Sequence, residues 1–258
     1  HNSSFTETKI LLPWGNTENW MNKQTSWSNH WGVLYVQLNQ DTDFTALNEN
    51  SLVSRKHIIQ QDNTKHLVCY LILKRPDVLF DYDESIKKIL KEVSVPIQLG
   101  GGIRSIDYAK RLLDLDIERL IIGTMGIEHP ETITQLSDEY GSERIMISLD
   151  SKDNRVVIKG WQEKIDKSPA ELSNEFKEHG AGSILFTNVD VEGLLGGFYT
   201  EPVIELKNSV DLPIVYSGGI TSISDVKQLN ESGVEGIVIG SALYKDKIDL
   251  KEALKYQN

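Results

Sequence analysis

The chain has 258 residues, 39% of them apolar and 25% charged, the composition of an ordinary globular protein. A formal charge of −11 argues against nucleic acid or an anionic membrane as partner, because both recruit basic surfaces. One cysteine, Cys69, excludes an internal disulfide framework and a cysteine-rich metal site, and fits a reducing compartment such as the cytoplasm. No apolar run approaches the ~18 residues of a membrane span. Phosphorylated small molecules stay open as ligands, because backbone amides bind phosphate locally whatever the net charge.

Composition breaks near residue 78. Residues 1–78 carry 7 acidic and 7 basic side chains, so the whole excess of acid lies in 79–258, with 31 against 20. Only Gly15 and Gly32 of the 19 glycines precede residue 78, whereas four of the five tryptophans do. So sharp a change within one fold means that the two parts are read separately. In the first part Gly32–Leu38 and His66–Leu73 read as strands and Leu52–Gln61 as a short helix, without a steady period. Strands one and two of the fold are assigned there by counting alone.

From Glu84 the pattern is regular. A helical segment, Glu84–Val93, leads to the apolar run Pro96–Leu99 and three glycines. Helix Ser105–Leu115 follows, with Ile106, Ala109, Leu112 and Leu113 on one face, then the run Leu120–Gly123. Further apolar runs fall at Arg144–Asp150, Ser183–Val189, Pro213–Gly219 and Gly236–Leu243. Between them lie helical segments such as Pro169–His179, Glu201–Ser209 and Ser222–Ser232. Short apolar runs alternating with helices imply βα units on a parallel sheet buried on both faces. Six units follow residue 79, and eight close a barrel.

An internal repeat separates a barrel from an open sheet. Residues 96–123 laid over 213–240 give 12 identities in 28 positions without a gap, among them Gly101/Gly218, Gly102/Gly219, Ser105/Ser222 and Gly123/Gly240. A repeat of this length reads as two half-domains, so the expected fold is an α/β protein, a (β/α)8 TIM barrel with a twofold half-barrel repeat and an atypical N-terminal quarter. Residues 1–78 form that quarter, and 79–258 carry barrel units three to eight.

Each copy of the repeat contains two glycine turns between a strand and a helix. They are Gly100-Gly101-Gly102 and Gly123-Thr124 in one copy, Ser217-Gly218-Gly219 and Gly240-Ser241 in the other. Glycine can simply end a strand. Four turns in a repeated arrangement point instead to two phosphate sites and a long ligand with a phosphate at each end. Asp150 closes the strand Arg144–Asp150, where a rim carboxylate suits general acid catalysis; the run Asp150–Asn154 also has the composition of a plain turn. Thr187 holds the equivalent place on the next strand, either as a hydrogen-bonding group or for its β propensity. Trp161, in a loop between strand and helix, either stacks on a planar ring or covers the barrel top. No histidine cluster has metal-ligand spacing, so neither metal nor cofactor is expected.

The motifs Pro96–Ser105, Ser148-Leu149-Asp150 with Gly160-Trp161-Gln162-Glu163, Leu185–Leu195, Ser217–Ile220 and Gly240–Tyr244 together resemble the phosphoribosyl-formimino isomerases of histidine biosynthesis, in their archaeal branch, over about residues 79–258. The resemblance implies a cofactor-free Amadori rearrangement in which an aminoaldose becomes an aminoketose. It implies a substrate bearing a phosphoribosyl group at each end of an aminoimidazole carboxamide, and a cytoplasmic, monomeric enzyme. By similarity Asp150 is the general acid, Thr187 its polar helper and Trp161 a ring-stacking residue. Gly101, Gly102, Arg104, Gly123, Thr124, Gly218, Gly219, Gly240 and Ser241 hold the two phosphates. The sister cyclase subunit of imidazole glycerol phosphate synthase shares the half-barrel repeat and usually lacks the Gly-Trp-x-Glu element.

The family opens on a strand close to Pro-Ala-Ile-Asp-Leu, whose aspartate is the general base, and nothing in residues 1–78 matches it. The repeat offset from Asp150 lands on Val33, and the nearest acid to that run is Asp41. A shifted reading frame or gene start would produce this pattern. A third reading follows, a phosphosugar-binding barrel without turnover.

Overall fold

A computed structural model of the chain describes residues 9–11, 34–36, 53–55, 69–72, 86–87, 90–91, 96–192 and 197–256. Contacts divide it into two units, His1–Leu120 and Ile121–Asn258. In the first unit three short strands, β1 (Lys9–Leu11), β2 (Leu34–Val36) and β3 (Val53–Arg55), pair antiparallel in the order β2-β1-β3. The run Gly32–Leu38 thus contains a strand, whereas the helix expected from Leu52 contains β3: Val53 is β-branched and favours the extended chain. Strand β4 (Cys69–Ile72) runs parallel to β5 (Ile97–Gly100), with Cys69 opposite Ile97. Helical backbone at Ile86–Lys87 and Leu90–Lys91 falls inside the expected Glu84–Val93 segment.

Helix α1 (Ile106–Leu113) starts at Ser105, whose Oγ accepts the Tyr108 N–H at 3.3 Å. Its buried face, Ala109, Leu112 and Leu113, follows the 3.6-residue spacing of an amphipathic helix. Strand β6 (Arg119–Ile122) then carries the chain into the second unit.

There the elements follow as α2 (Thr124–Glu128), α3 (Glu131–Tyr140), β7 (Ile145–Lys152), β8 (Arg155–Ile158), β9 (Glu163–Lys164), α4 (Pro169–Glu178), β10 (Ser183–Asn188), α5 (Glu201–Ser209), β11 (Ile214–Ser217), α6 (Ile223–Glu231), β12 (Gly236–Val238), α7 (Ser241–Tyr244) and α8 (Leu250–Ala253). Strands β7, β10, β11 and β12 lie side by side and parallel. All six residues of β10 are buried, which explains an apolar run without alternation. Helix α4 buries Leu172 and Phe176, one turn apart, beneath the Ser168 capping box closed by Glu171.

Two further details depart from the sequence expectation. Strand β7 does not stop at Asp150; it runs on to Lys152, turns through Asp153 and Asn154, and returns as β8. Both turn residues have positive φ, 48° and 55°, as a two-residue type I′ hairpin requires. The run Gly236–Leu243 is a strand only to Val238, after which Ser241 opens α7.

The repeat is visible in the backbone. Gly101 and Gly218 have φ of 92° and 107°, and Gly102 and Gly219 have 69° and 72°. Ser105 and Ser222 cap the helices that follow, so sequence identity at these positions records one turn used twice.

Candidate active site

Alternate residues of a strand face opposite sides, so Ser148 and Asp150 of β7 share a face. The parallel register sets Thr187 of β10 opposite Asp150, and Ser217 of β11 opposite Thr187. Adjacent strands are ~4.8 Å apart, so a carboxylate and two hydroxyls form one row across the carboxyl ends of three strands. Both Asp150 oxygens are engaged within the described residues. Ser148 Oγ donates to Oδ1 at 3.2 Å, and the Trp161 indole N–H donates to Oδ2 at 2.7 Å. A part-buried carboxylate held by two donors is fixed in orientation, which proton transfer to a bound substrate requires.

Trp161 reaches Asp150 because of where the chain turns back. It lies in the tip between β8 and β9, not in a loop between strand and helix, and Gln162 N–H closes the tip onto Ile158 O at 3.1 Å. Lys159, Gly160 and Trp161 all have positive φ, 54°, 67° and 68°. Left-handed backbone costs roughly 1–2 kcal/mol at each non-glycine residue, so contacts outside the tip must hold it. Besides the indole bond, Lys159 N–H donates to Thr124 Oγ1 at 3.2 Å, and Lys159 Nζ lies 3.1 Å from Glu128 and 2.7 Å from Glu163. These two glutamates, Glu163 foremost, raise the Lys159 ammonium above its usual range.

The remaining expected residues divide by unit. Gly101 and Gly102 follow β5 in left-handed backbone, with Arg104 exposed beside them in the first unit. Gly218 and Gly219 follow β11 in the second. A Cβ on Gly218 would meet Asn188 O at 2.5 Å, and one on Gly219 would meet Val191 Cγ2 at 2.7 Å, so both are required by packing whatever they bind. Gly123 precedes α2, Thr124 accepts the Lys159 N–H, and Gly240 precedes α7; the Ser241 side chain and Asp41 lie outside the described residues.

Sequence reasoning does not single out Glu192. Burial, and secondly the Asp150 charge, push its carboxyl up to about 7. The available signal is the second of two acids alternating with valines, Asp190 and Glu192, just past a strand that ends in Thr187 and Asn188. Its neighbour Tyr216, shielded from solvent beside Asn188, is also pushed above the usual phenol range by burial and then by Glu192. Among the described residues no three acidic, histidine or cysteine side chains gather in a way that could hold a metal ion. No helix among them is long and apolar enough to cross a membrane.

Parallel βα units with their polar residues gathered at the carboxyl ends of the strands define an α/β protein, the architecture to which the (β/α)8 barrels belong. Residues 59–249 match the family described as "Histidine biosynthesis protein", and the chain belongs to that family. A protein of Methanothermobacter thermautotrophicus is 58% identical over 173 residues, which is 67% of this chain and 72% of that protein. One of Methanosphaera stadtmanae is 59% identical over 172 residues, 67% of this chain and 73% of that protein. One of Methanococcus maripaludis is 46% identical over 226 residues, 86% of this chain and 93% of that protein. All three are named 1-(5-phosphoribosyl)-5-((5-phosphoribosylamino)methylideneamino)imidazole-4-carboxamide isomerase. The archaeal isomerase resemblance is therefore met. The family match begins at residue 59, inside the segment that composition sets apart.

Proposed function

We propose that this chain isomerises the bis-phosphorylated aminoaldose named in its relatives to the corresponding aminoketose, in histidine biosynthesis and without a cofactor. One observation carries the site assignment: the Asp150 carboxylate, fixed by the Trp161 indole at 2.7 Å, stands in register with Thr187 at the carboxyl end of parallel strands. Asp150 delivers a proton to the ribose ring oxygen, the C1′–O bond breaks, and the ring opens to a Schiff base. A base removes the C2′ proton, and the enolamine tautomerises to the ketose, so atoms and electrons balance without a redox partner. Thr187 hydrogen-bonds the sugar, and Trp161 lies against the imidazole. Glu192, with its carboxyl near 7, keeps an exchangeable proton beside Asp150 at neutral pH.

The terminal phosphates are assigned from the sequence repeat to its glycine turns, Gly101-Gly102 and Gly123-Thr124 in one copy, Gly218-Gly219 and Gly240-Ser241 in the other. Arg104 adds a cation beside the Gly101-Gly102 turn. The enzyme acts as a cytoplasmic monomer on a small-molecule substrate, and residues 79–258 carry both phosphate sites. Asp150→Asn in the full chain keeps the fold and lowers turnover by at least 10²-fold, the usual contribution of a positioned acid, in an assay with the bis-phosphoribosyl substrate. Turnover by this variant equal to that of the parent chain would remove Asp150 from the mechanism.

One feature of the sequence favours a second reading. The strand-one aspartate that the resemblance makes the base is not recognisable in 1–78. If the parent chain binds substrate and does not turn it over, the protein is a phosphosugar-binding barrel that has kept the acid and lost the base. If it does turn over, Asp41 and Glu192 are the first two candidates for the base.

A further inference from the structure

The tip of the β8–β9 hairpin is held by more than the strands beneath it. Pairing between β7 and β8 ends at Asp150 opposite Val157, and β9 is only two residues long. The three left-handed residues beyond it touch the rest of the second unit through the Trp161 indole on Asp150 and through two contacts of Lys159. Those two contacts reach the same turn, Thr124 at the start of α2 and Glu128 at its end. Lys159 Nζ also bonds Glu163 on the far strand of the hairpin, so one ammonium bridges hairpin and turn.

We infer that Lys159 is a positioning residue: it ties the hairpin tip to the Gly123–Glu128 turn and thereby keeps the Trp161 indole on Asp150. The tether stands on the geometry alone, and only its effect on turnover rests on the proposed function. If a phosphate sits on that turn, the segment that grips the substrate and the segment that orients the reacting carboxylate move as one piece. A lysine suits this place because its single head can face two carboxylates from different elements, and its stem spans the gap between them.

The test reads the indole directly in the full chain without substrate. The Trp161 indole N–H signal in a ¹H–¹⁵N spectrum is the one lost in Trp161→Phe, and Asp150→Asn confirms that it reports the bond to Asp150. In Lys159→Met the indole proton exchanges with solvent about three- to tenfold faster, the combined effect of two half-exposed ion pairs, and 0.5 M salt moves the parent chain the same way. Glu128→Gln gives part of the effect, and Lys159→Arg stays within about twofold of the parent. An unchanged indole signal in both Lys159→Met and Glu128→Gln would overturn the proposal. So would a loss of turnover in Lys159→Met with the indole unmoved, which would mean direct contact with substrate. A parent chain without turnover sinks the functional reading and leaves the exchange result standing.

Discussion

At the scale of single residues, burial and charge decide what the site's acids do. Glu192 has a folded-state carboxyl near 7 against an ordinary value of 4.5, because enclosure disfavours its anion and Asp150 repels it. The folded chain therefore binds the Glu192 proton more tightly than the unfolded chain. The resulting stability is complete below about 4.5, drains away between 4.5 and 7, and is lost above that range. Ionised Glu192 then costs on the order of 3 kcal/mol relative to a neutral group. Thermal unfolding of Glu192→Gln across pH 4 to 9 gives a flatter profile than the parent, with the variant gaining most above pH 7. Parallel profiles would show that folding does not raise the Glu192 carboxyl. Asp150 and Thr187 are legible in sequence as strand-end polar residues. Glu192 is not, because only folding brings it, half-buried, beside Asp150.

At the scale of elements, local chemistry is most legible where a cap marks a boundary. Helices α4 and α6 begin one residue after Ser168 and Ser222, and each serine forms a capping box with the acid three residues on, Glu171 and Asp225. In α1, Ser105 caps the helix without the reciprocal acid, since Tyr108 stands at that position. Ser222→Ala removes the bond to Asp225 N–H and leaves Asp225 facing only the Thr221 and Ser222 backbone and the Thr221 hydroxyl. The expected loss is about 1 kcal/mol in chemical denaturation, with no change in the slope of the transition. Ser105→Ala loses a similar amount, because in each helix the substitution removes one serine-to-backbone bond. The β7–β8–β9 excursion escapes sequence reasoning for the opposite reason. Asp153-Asn154 has the composition of a turn that ends a strand, whereas a type I′ turn continues the strand antiparallel. That difference moves Trp161 from a βα loop to a hairpin tip over Asp150.

At the scale of the whole chain, net charge and substrate charge have the same sign. A chain of −11 repels a doubly phosphorylated ligand at long range, and only local amides and cations, those of the glycine turns proposed to hold its phosphates, attract it. Raising ionic strength from about 10 to 150 mM screens the repulsion, so kcat/KM is expected to rise, the reverse of an enzyme with a basic entrance. Steady-state kinetics at constant pH checks this, and a fall would mean that cations near the turns dominate the approach. The parallel βα class, the twofold repeat and the family were determined by sequence alone, because apolar periodicity and glycine turns are local and recur at a fixed offset. The tertiary structure alone decided which polar groups meet. The Trp161 indole on Asp150, the Lys159 bridge and the half-buried Glu192 beside Asp150 join residues from different segments, and such contacts exist only once the strands have set their register.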